Sequence, residues 1–402
     1  MMGENNPIEF NKRIFEIDGI RGFALLGILM MNIMSFAGPD LDDSFTGTRS
    51  EIYTGFWNEL SLFFINTFVT TNFYTMFSFL FGLGFYIFLS RAEKKTQSTA
   101  ALFLRRIGLL LVFGLLHGIL LWYGDILWTY AVTGLFLLLF YKFKPKVNLI
   151  TAVVLFVLTT SIVLLSSIGT YMMNIAARNT GMQSEGFIFS LNMTDTILNG
   201  SYGDIVGMNA LILGLSAAGA IFVIPNVLAM FLLGLYAGQK GYFNNLREHT
   251  GLLRKVAVIG IGVGLPVKIF TGYLTTYEGH DNVFVQLAQL SSTIGGPLMS
   301  LGYVALLALI LLKLPKLVRL LQPVGQMALT NYIGQTVIML VIFYVFGLFN
   351  SINAVWFIPI ALGVFSLQLI LSHFWMKYFS YGPLEWIWRN FTYLKIMPFR
   401  KR

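Results

Sequence analysis

His117 is the side chain with the most chemistry within reach. It stands in the segment LLHGILLWYGDIL, twelve residues beyond Arg105, which is a helix advance of roughly 18 Å from a basic inner end. Imidazole changes charge near neutral pH, and an ionisable group at membrane depth usually has a function. Asp125 follows after a short turn, so a histidine–carboxylate pair suited to general base catalysis is one reading. The other is a histidine hydrogen-bonded between helices, with Asp125 capping the next element. Gly114 and Gly118 flank the imidazole at GxxxG spacing, which allows a neighbouring helix to approach closely.

Arg106 lies eleven residues before His117, nearly three helical turns, so the two share a face and one ligand could touch both. With Arg105 and with Arg21, which follows Asp18 in EIDGIRG, it forms a set of cations able to hold phosphates. An arginine pair such as Arg105 and Arg106 more often marks a topological anchor, and Asp18 and Arg21 can be a helix-start ion pair. Asn32 lies further along the first apolar segment. Lys268 is the single lysine inside an apolar run, free either to reach outward along its flexible stem or to line a cavity. Thr330, Asn331, Gln335 and Thr336 form a polar stripe in which Asn331 and Gln335 share a face. Interhelical hydrogen bonding and cavity lining both fit that stripe. Gln286, Gln289 and Thr293 precede Gly295, Gly296 and Pro297, so this stretch reads as a broken helix and a cavity wall, or as polar packing.

The elements that must position these groups are membrane helices. Hydrophobic residues are 56% and charged residues 11% of 402 positions, against about 25% charged in a soluble domain. The apolar runs are Leu-, Phe- and Gly-rich and about 20 residues long, enough to cross about 30 Å of hydrocarbon as helices. They lack the alternation of barrel strands. Spans are expected near 20–37, 72–90, 104–122, 125–141, 148–168, 212–238, 256–275, 291–312, 327–347 and 354–376. The fold class is therefore all-α: a polytopic helical membrane protein of about ten transmembrane helices with interfacial or re-entrant helices, one transmembrane domain over 1–402. An amphipathic helix is expected from Glu51 to the break at Thr70–Asn72, and an amphipathic, aromatic-rich tail over 377–402.

The formal charge of +9 is explained by orientation. With both termini inside, inner segments gather Lys12, Arg13, Arg21, Arg91, Lys94, Lys95, Arg105, Arg106, Lys142, Lys144 and Lys146. They continue with Lys240, Arg247, Arg254, Lys255, Lys313, Lys316, Arg319 and the tail cations. Outer loops keep Arg49, Arg178 and most acids, including Asp40, Asp42, Asp43, Glu51, Glu185, Asp195, Asp204, Glu278 and Asp281. No nucleic-acid footprint remains. The absence of cysteine excludes thiolate chemistry and disulfides, and no P-loop, nucleophile elbow or HExxH is present. The four histidines, His117, His249, His280 and His373, stand on separate elements, so no metal motif is expected.

The segments IDGIRGFALLGILMMN, FYTMFSFLFGLGF, LLHGILLWYGDILWTYAVTG, GQMALTNYIGQT and YGPLEWIWR, in this order and spacing, resemble the YeiB-like bacterial inner-membrane proteins, a family of unknown function. The arginine–glycine start of the first span is also similar to that of transmembrane acyltransferases of the heparan-alpha-glucosaminide N-acetyltransferase type. That second likeness implies transfer of an acyl group from cytoplasmic acyl-CoA to a small-molecule or polymer acceptor on the envelope side. On this expectation His117 is the base, assisted by Asp125. Arg21, Arg105 and Arg106 hold the phosphates of the acyl-CoA co-substrate, and Asn331 and Gln335 line its channel. Asn32, Lys268, Gln286 and Gln289 would face the substrate cavity. The expected setting is the bacterial cytoplasmic membrane, with the lipid bilayer as partner and a homo-oligomer left open. The alternative is a transporter or transport-associated protein using the same polar residues as a permeation route.

Overall fold

The computed structural model describes residues 14–38, 51–94, 98–180, 193–278 and 282–401. Lys12, Arg13, Asp40, Asp42, Asp43, Arg49, Lys95, Glu185, His280 and Asp281, named above, and the tail cation Arg402 lie outside the described residues.

The apolar runs fold as helices because a chain in hydrocarbon must satisfy its backbone polar groups internally. The first is α1, Phe15–Ala37. The expected amphipathic segment is α2, Phe56–Phe68, which turns at Val69–Thr71 into α3, Asn72–Ala92. Thr71 closes that turn with a positive φ of 65°. Next come α4, Thr99–Leu120, and α5, Leu127–Phe140, then the long α6, Pro145–Thr180. A short α7, Met193–Asn199, precedes α8, Tyr202–Ala218, and α9, Ala220–Gln239. The C-terminal half contains α10, Thr250–Tyr277, α11, Asn282–Lys313, α12, Pro315–Gln326, and α13, Ala328–Leu340. It ends with α14, Phe357–Tyr378, and the tail helix α15, Pro383–Tyr393.

Nine helices among the described residues are long and apolar enough to cross a membrane. Ten were expected; one expected span is missing, and another is shortened but still counted among the nine. The segment 125–141 forms only the 14-residue α5, about 21 Å long, because Asp125 and its neighbours are drawn into the turn before it. The segment 212–238 divides at Gly219 into α8 and α9. The chain is an all-α polytopic helical membrane protein.

Burial separates an inner from an outer set of helices. α1 is 67% buried over its most apolar window, and the corresponding part of α6 only 11%. Val153, Val154, Val157, Leu164, Leu165 and Ile168 on α6 are exposed, which suits a surface solvated by lipid tails. α12 is a short amphipathic helix at the inner cations Lys313, Lys316 and Arg319, a stretch for which no helix was expected. Pro315 starts it, and Val318, Leu321 and Val324 are buried along one side.

The expected break at Gly295–Pro297 does not form, since α11 runs unbroken through Pro297. The glycines serve packing instead. A Cβ on Gly295 would lie 3.1 Å from the Lys268 stem, and one on Gly296 would lie 2.6 Å from the Thr71 hydroxyl.

Candidate functional site

The turn 121–126 folds Asp125 back onto the helix it has just left. Gly114 makes this approach feasible, because a Cβ there would meet the Trp128 backbone nitrogen at 2.4 Å. The GxxxG spacing thus admits the chain's own next turn as well as a neighbouring helix. Asp125 Oδ1 lies 2.8 Å from His117 Nδ1, and Asp125 Oδ2 accepts the Trp128 N–H at 2.9 Å. A carboxylate at Nδ1 fixes the imidazole proton there and leaves Nε2 as an acceptor. Nε2 faces the Thr336 hydroxyl of α13 at 2.8 Å. His117 and Thr336 are each 2% exposed. A buried carboxylate, imidazole and hydroxyl therefore stand in line, the order that polarises an O–H bond toward the imidazole.

Next to this array is a cavity of about 280 Å³, close to the lower end of ligand-pocket volumes. Four half-buried arginines line it, from four helices: Arg21 of α1, Arg91 of α3, Arg106 of α4 and Arg389 of α15. Asp18 and Glu385 are the acids on its wall, and Phe77, Phe81, Phe85, Phe103, Tyr130 and Tyr332 are among its rings. Such a wall suits an anionic group attached to a slender, less polar arm. Tyr332 joins the two features: it lines the cavity, and its ring centroid lies 5.3 Å from that of His117.

Arg21, Arg106 and Arg389 are each positioned by named partners. Arg21 bridges to Asp18 at 3.2 Å, and its guanidinium passes over Gly84, where a Cβ would be 2.6 Å from Nη2. Arg106 stacks on the Trp388 ring at 3.6 Å and faces Phe88 at 5.1 Å. Arg389 lies over Tyr381 at 4.7 Å. Glu385 does not turn to Arg389, its i+4 neighbour. Its Oε1 accepts the Leu329 and Thr330 N–H groups at 2.7 and 3.1 Å, and Oε2 accepts the Thr330 hydroxyl at 2.5 Å. The tail thereby caps the N-terminus of α13, the helix that carries Tyr332 and Thr336. Burial pushes the Glu385 carboxyl above the usual carboxylate range.

Other expected site residues stand elsewhere. Arg105 is not on the cavity wall, because adjacent residues on a helix diverge by about 100°. Asn331 donates to the Val324 carbonyl and Ser372, and Gln335 to the Leu25 carbonyl and Gln368, so both tie α13 to its neighbours. Asn32 is buried in α1. Gln286 accepts from Ser167 of α6, and Gln289 is exposed. Lys268 is 0% exposed and donates to the Thr71 hydroxyl at 3.2 Å. It neither reaches outward nor lines this cavity, because Gly295 leaves room for its stem inside. Arg91, Arg389, Trp388 and Tyr332 complete the site; in the sequence Arg91 stands out only as an inner cation, Arg389 and Trp388 only as part of an aromatic-rich tail, and Tyr332 not at all.

The family description "Protein of unknown function (DUF418)" matches residues 237–395. The chain is 30% identical to "Uncharacterized protein YxaH" of Bacillus subtilis (strain 168), over 100% of this chain and 99% of that protein. It is 32% identical to "Uncharacterized 39.9 kDa protein in amylase 3'region" of Bacillus acidopullulyticus, over 98% and 97%. To "Uncharacterized protein YeiB" of Escherichia coli (strain K12) it is 28% identical, over 95% and 96%. No solved structure matches it. With the motif order of the first span, the His117 turn, the α13 stripe and the tail all carried on one polytopic helical chain, it belongs to the YeiB-like DUF418 family of unknown function.

Proposed function

We propose that this protein is a membrane-embedded acyltransferase. It moves an acyl group, acetyl in the simplest case, from cytoplasmic acyl-CoA to a hydroxyl or amine of an acceptor on the envelope side. The observation carrying this reading is the junction at Tyr332 between the arginine-lined cavity and the Asp125–His117–Thr336 array. The four arginines suit the phosphates of CoA, and the aromatic wall suits its arm. At about 280 Å³ the cavity has room for the arm but not for the whole of CoA, so the adenosine stays outside it. His117 then removes the proton of the attacking group.

The basic segments, including the arginine end of the cavity, support an orientation with this end and both termini in the cytoplasm. The bacterial relatives support a cytoplasmic-membrane location. A transporter using His117 and Lys268 on one permeation route is the rival. The two side chains are buried on different helices, α4 and α10; His117 adjoins the cavity through Tyr332, whereas Lys268 donates to Thr71 and touches neither the cavity nor His117.

The test is ligand stabilisation of the purified chain by acetyl-CoA, with acetyl-pantetheine as the truncated probe. The expectation is a rise in melting temperature with acetyl-CoA below about 1 mM, the usual upper range of substrate constants, and a much smaller one with acetyl-pantetheine. Equal indifference to both removes the acyltransferase reading, since a transporter or scaffold has no reason to recognise the nucleotide.

A further inference from the structure

An imidazole that serves only as base for an incoming acceptor needs an open lone pair. Here Nε2 already faces a protein hydroxyl, that of Thr336, at 2.8 Å. Threonine within a helix commonly turns its hydroxyl to the carbonyl one turn back. Thr336 instead meets His117 across 219 positions of sequence, with Asp125 on the far side of the ring. Tyr332 lies one turn earlier on the same helix, on the same side, and forms part of the cavity wall. The hydroxyl is thus placed just behind the wall against which the thioester end of a bound arm would rest.

We propose that Thr336 is the covalent acyl carrier of this site, so that transfer proceeds by double displacement. The inference rests on the acyltransferase reading. In the first half-reaction Thr336 Oγ1 attacks the thioester carbonyl while its proton passes to His117 Nε2. The carbon–sulfur bond breaks, the CoA thiolate takes the proton from His117, and an acyl–threonine ester remains. In the second, the acceptor's hydroxyl or amine gives its proton to Nε2 and attacks the ester carbonyl. The carbon–oxygen bond to Thr336 breaks, and Thr336 Oγ1 recovers the proton. Asp125 stays ionised and orients the ring. The acyl group is held in the protein between the two steps, so CoA and acceptor need not occupy the site together.

A double displacement has a signature that needs no acceptor. Purified full-length protein with acetyl-CoA and isotopically labelled CoA should exchange the label between the two. Mass spectrometry after acid quenching should find one acetyl group on the peptide containing Thr336. Thr336→Val and Thr336→Ala should each lose exchange by a factor on the order of a hundred or more while retaining stabilisation by acetyl-CoA. Thr336→Ser should keep exchange and the label. Exchange persisting in the valine variant, or a label found on His117, overturns the assignment to Thr336. Stabilisation by acetyl-CoA with no exchange in the unaltered protein overturns the covalent intermediate and leaves direct transfer. No response to acetyl-CoA at all overturns the acyltransferase reading itself.

Discussion

Trp388 and Arg106 are locked together twice. The indole ring lies 3.6 Å from the guanidinium, and the indole N–H donates to the Arg106 backbone carbonyl at 2.7 Å, linking positions 282 apart. The tail helix is therefore part of the cavity, and the charge of Arg106 is aimed by it.

That relationship separates two neighbouring arginines. Arg106→Gln should weaken acetyl-CoA binding by roughly 10- to 100-fold, the loss expected for hydrogen bonds to a charged group of about 1.5–3 kcal/mol. Arg105→Gln should change it little, because Arg105 is off the cavity wall. Isothermal titration of both variants checks this, and equal losses would assign the effect to general surface charge.

Gly84 offers a way to disturb the cavity without dismantling the fold. A Cβ there meets only the far end of the Arg21 side chain, at 2.6 and 3.8 Å. A flexible guanidinium can move aside at little cost in stability. Gly84→Ala should therefore keep the melting temperature of the apo protein within a few degrees while weakening acetyl-CoA binding several-fold. A variant that binds normally would show that Arg21 does not contact the ligand.

Much of this arrangement was legible in the sequence, and what was not has definite causes. The His117–Asp125 pair could be read because eight positions and a glycine pair confine both groups to one turn. The spans could be read from uncharged length. Which of Arg105 and Arg106 enters the cavity could not, since that depends on the rotation of α4 about its axis. Arg389 and Trp388 looked like an interfacial tail, and only the docking of α15 on α13 through Glu385 turns them inward. Lys268 misled because a lone lysine in a span usually snorkels; the room made by Gly295 across α10 and α11 is a tertiary fact.

The absence of cysteine makes orientation easy to test. Single cysteines at Ser98, before α4, and Asn199, at the end of α7, should differ in intact cells. The Asn199 variant should react with a membrane-impermeant maleimide and the Ser98 variant only after permeabilisation. The reverse pattern would place the arginine end of the cavity outside and remove cytoplasmic CoA as its ligand.

Glu385 makes the docking of the tail pH-dependent. Its folded pKa is raised by burial above the unfolded value, so the folded state binds the proton more tightly. This contribution to stability is fully present below the unfolded carboxylate range and is lost as pH rises through the folded value. Between mildly acidic and neutral pH the melting temperature of the native protein should therefore fall relative to that of Glu385→Gln. A constant difference between the two across that window would mean that Glu385 titrates as an ordinary exposed carboxylate.

His117 carries the last prediction, which separates chemistry from packing. Its ring receives a carboxylate on one nitrogen and a hydroxyl on the other, both at 2.8 Å, so its removal strands two buried polar partners. His117→Ala should therefore lower the melting temperature as well as turnover, and by itself decides nothing. His117→Gln is the informative variant, because an amide can donate toward Asp125 or accept from Thr336 but cannot carry a proton from one substrate to the next. On the catalytic reading it folds, binds acetyl-CoA through the distant arginines, and loses turnover by a factor on the order of a hundred to ten thousand. Asp125→Asn should fall in the same class, since an amide at Nδ1 no longer fixes the imidazole proton on that side. On a purely structural reading the glutamine variant is nearly as active as the native protein. Turnover and melting temperature measured together on these three variants in detergent decide between the readings, and an active, well-folded His117→Gln protein would take the imidazole out of the mechanism.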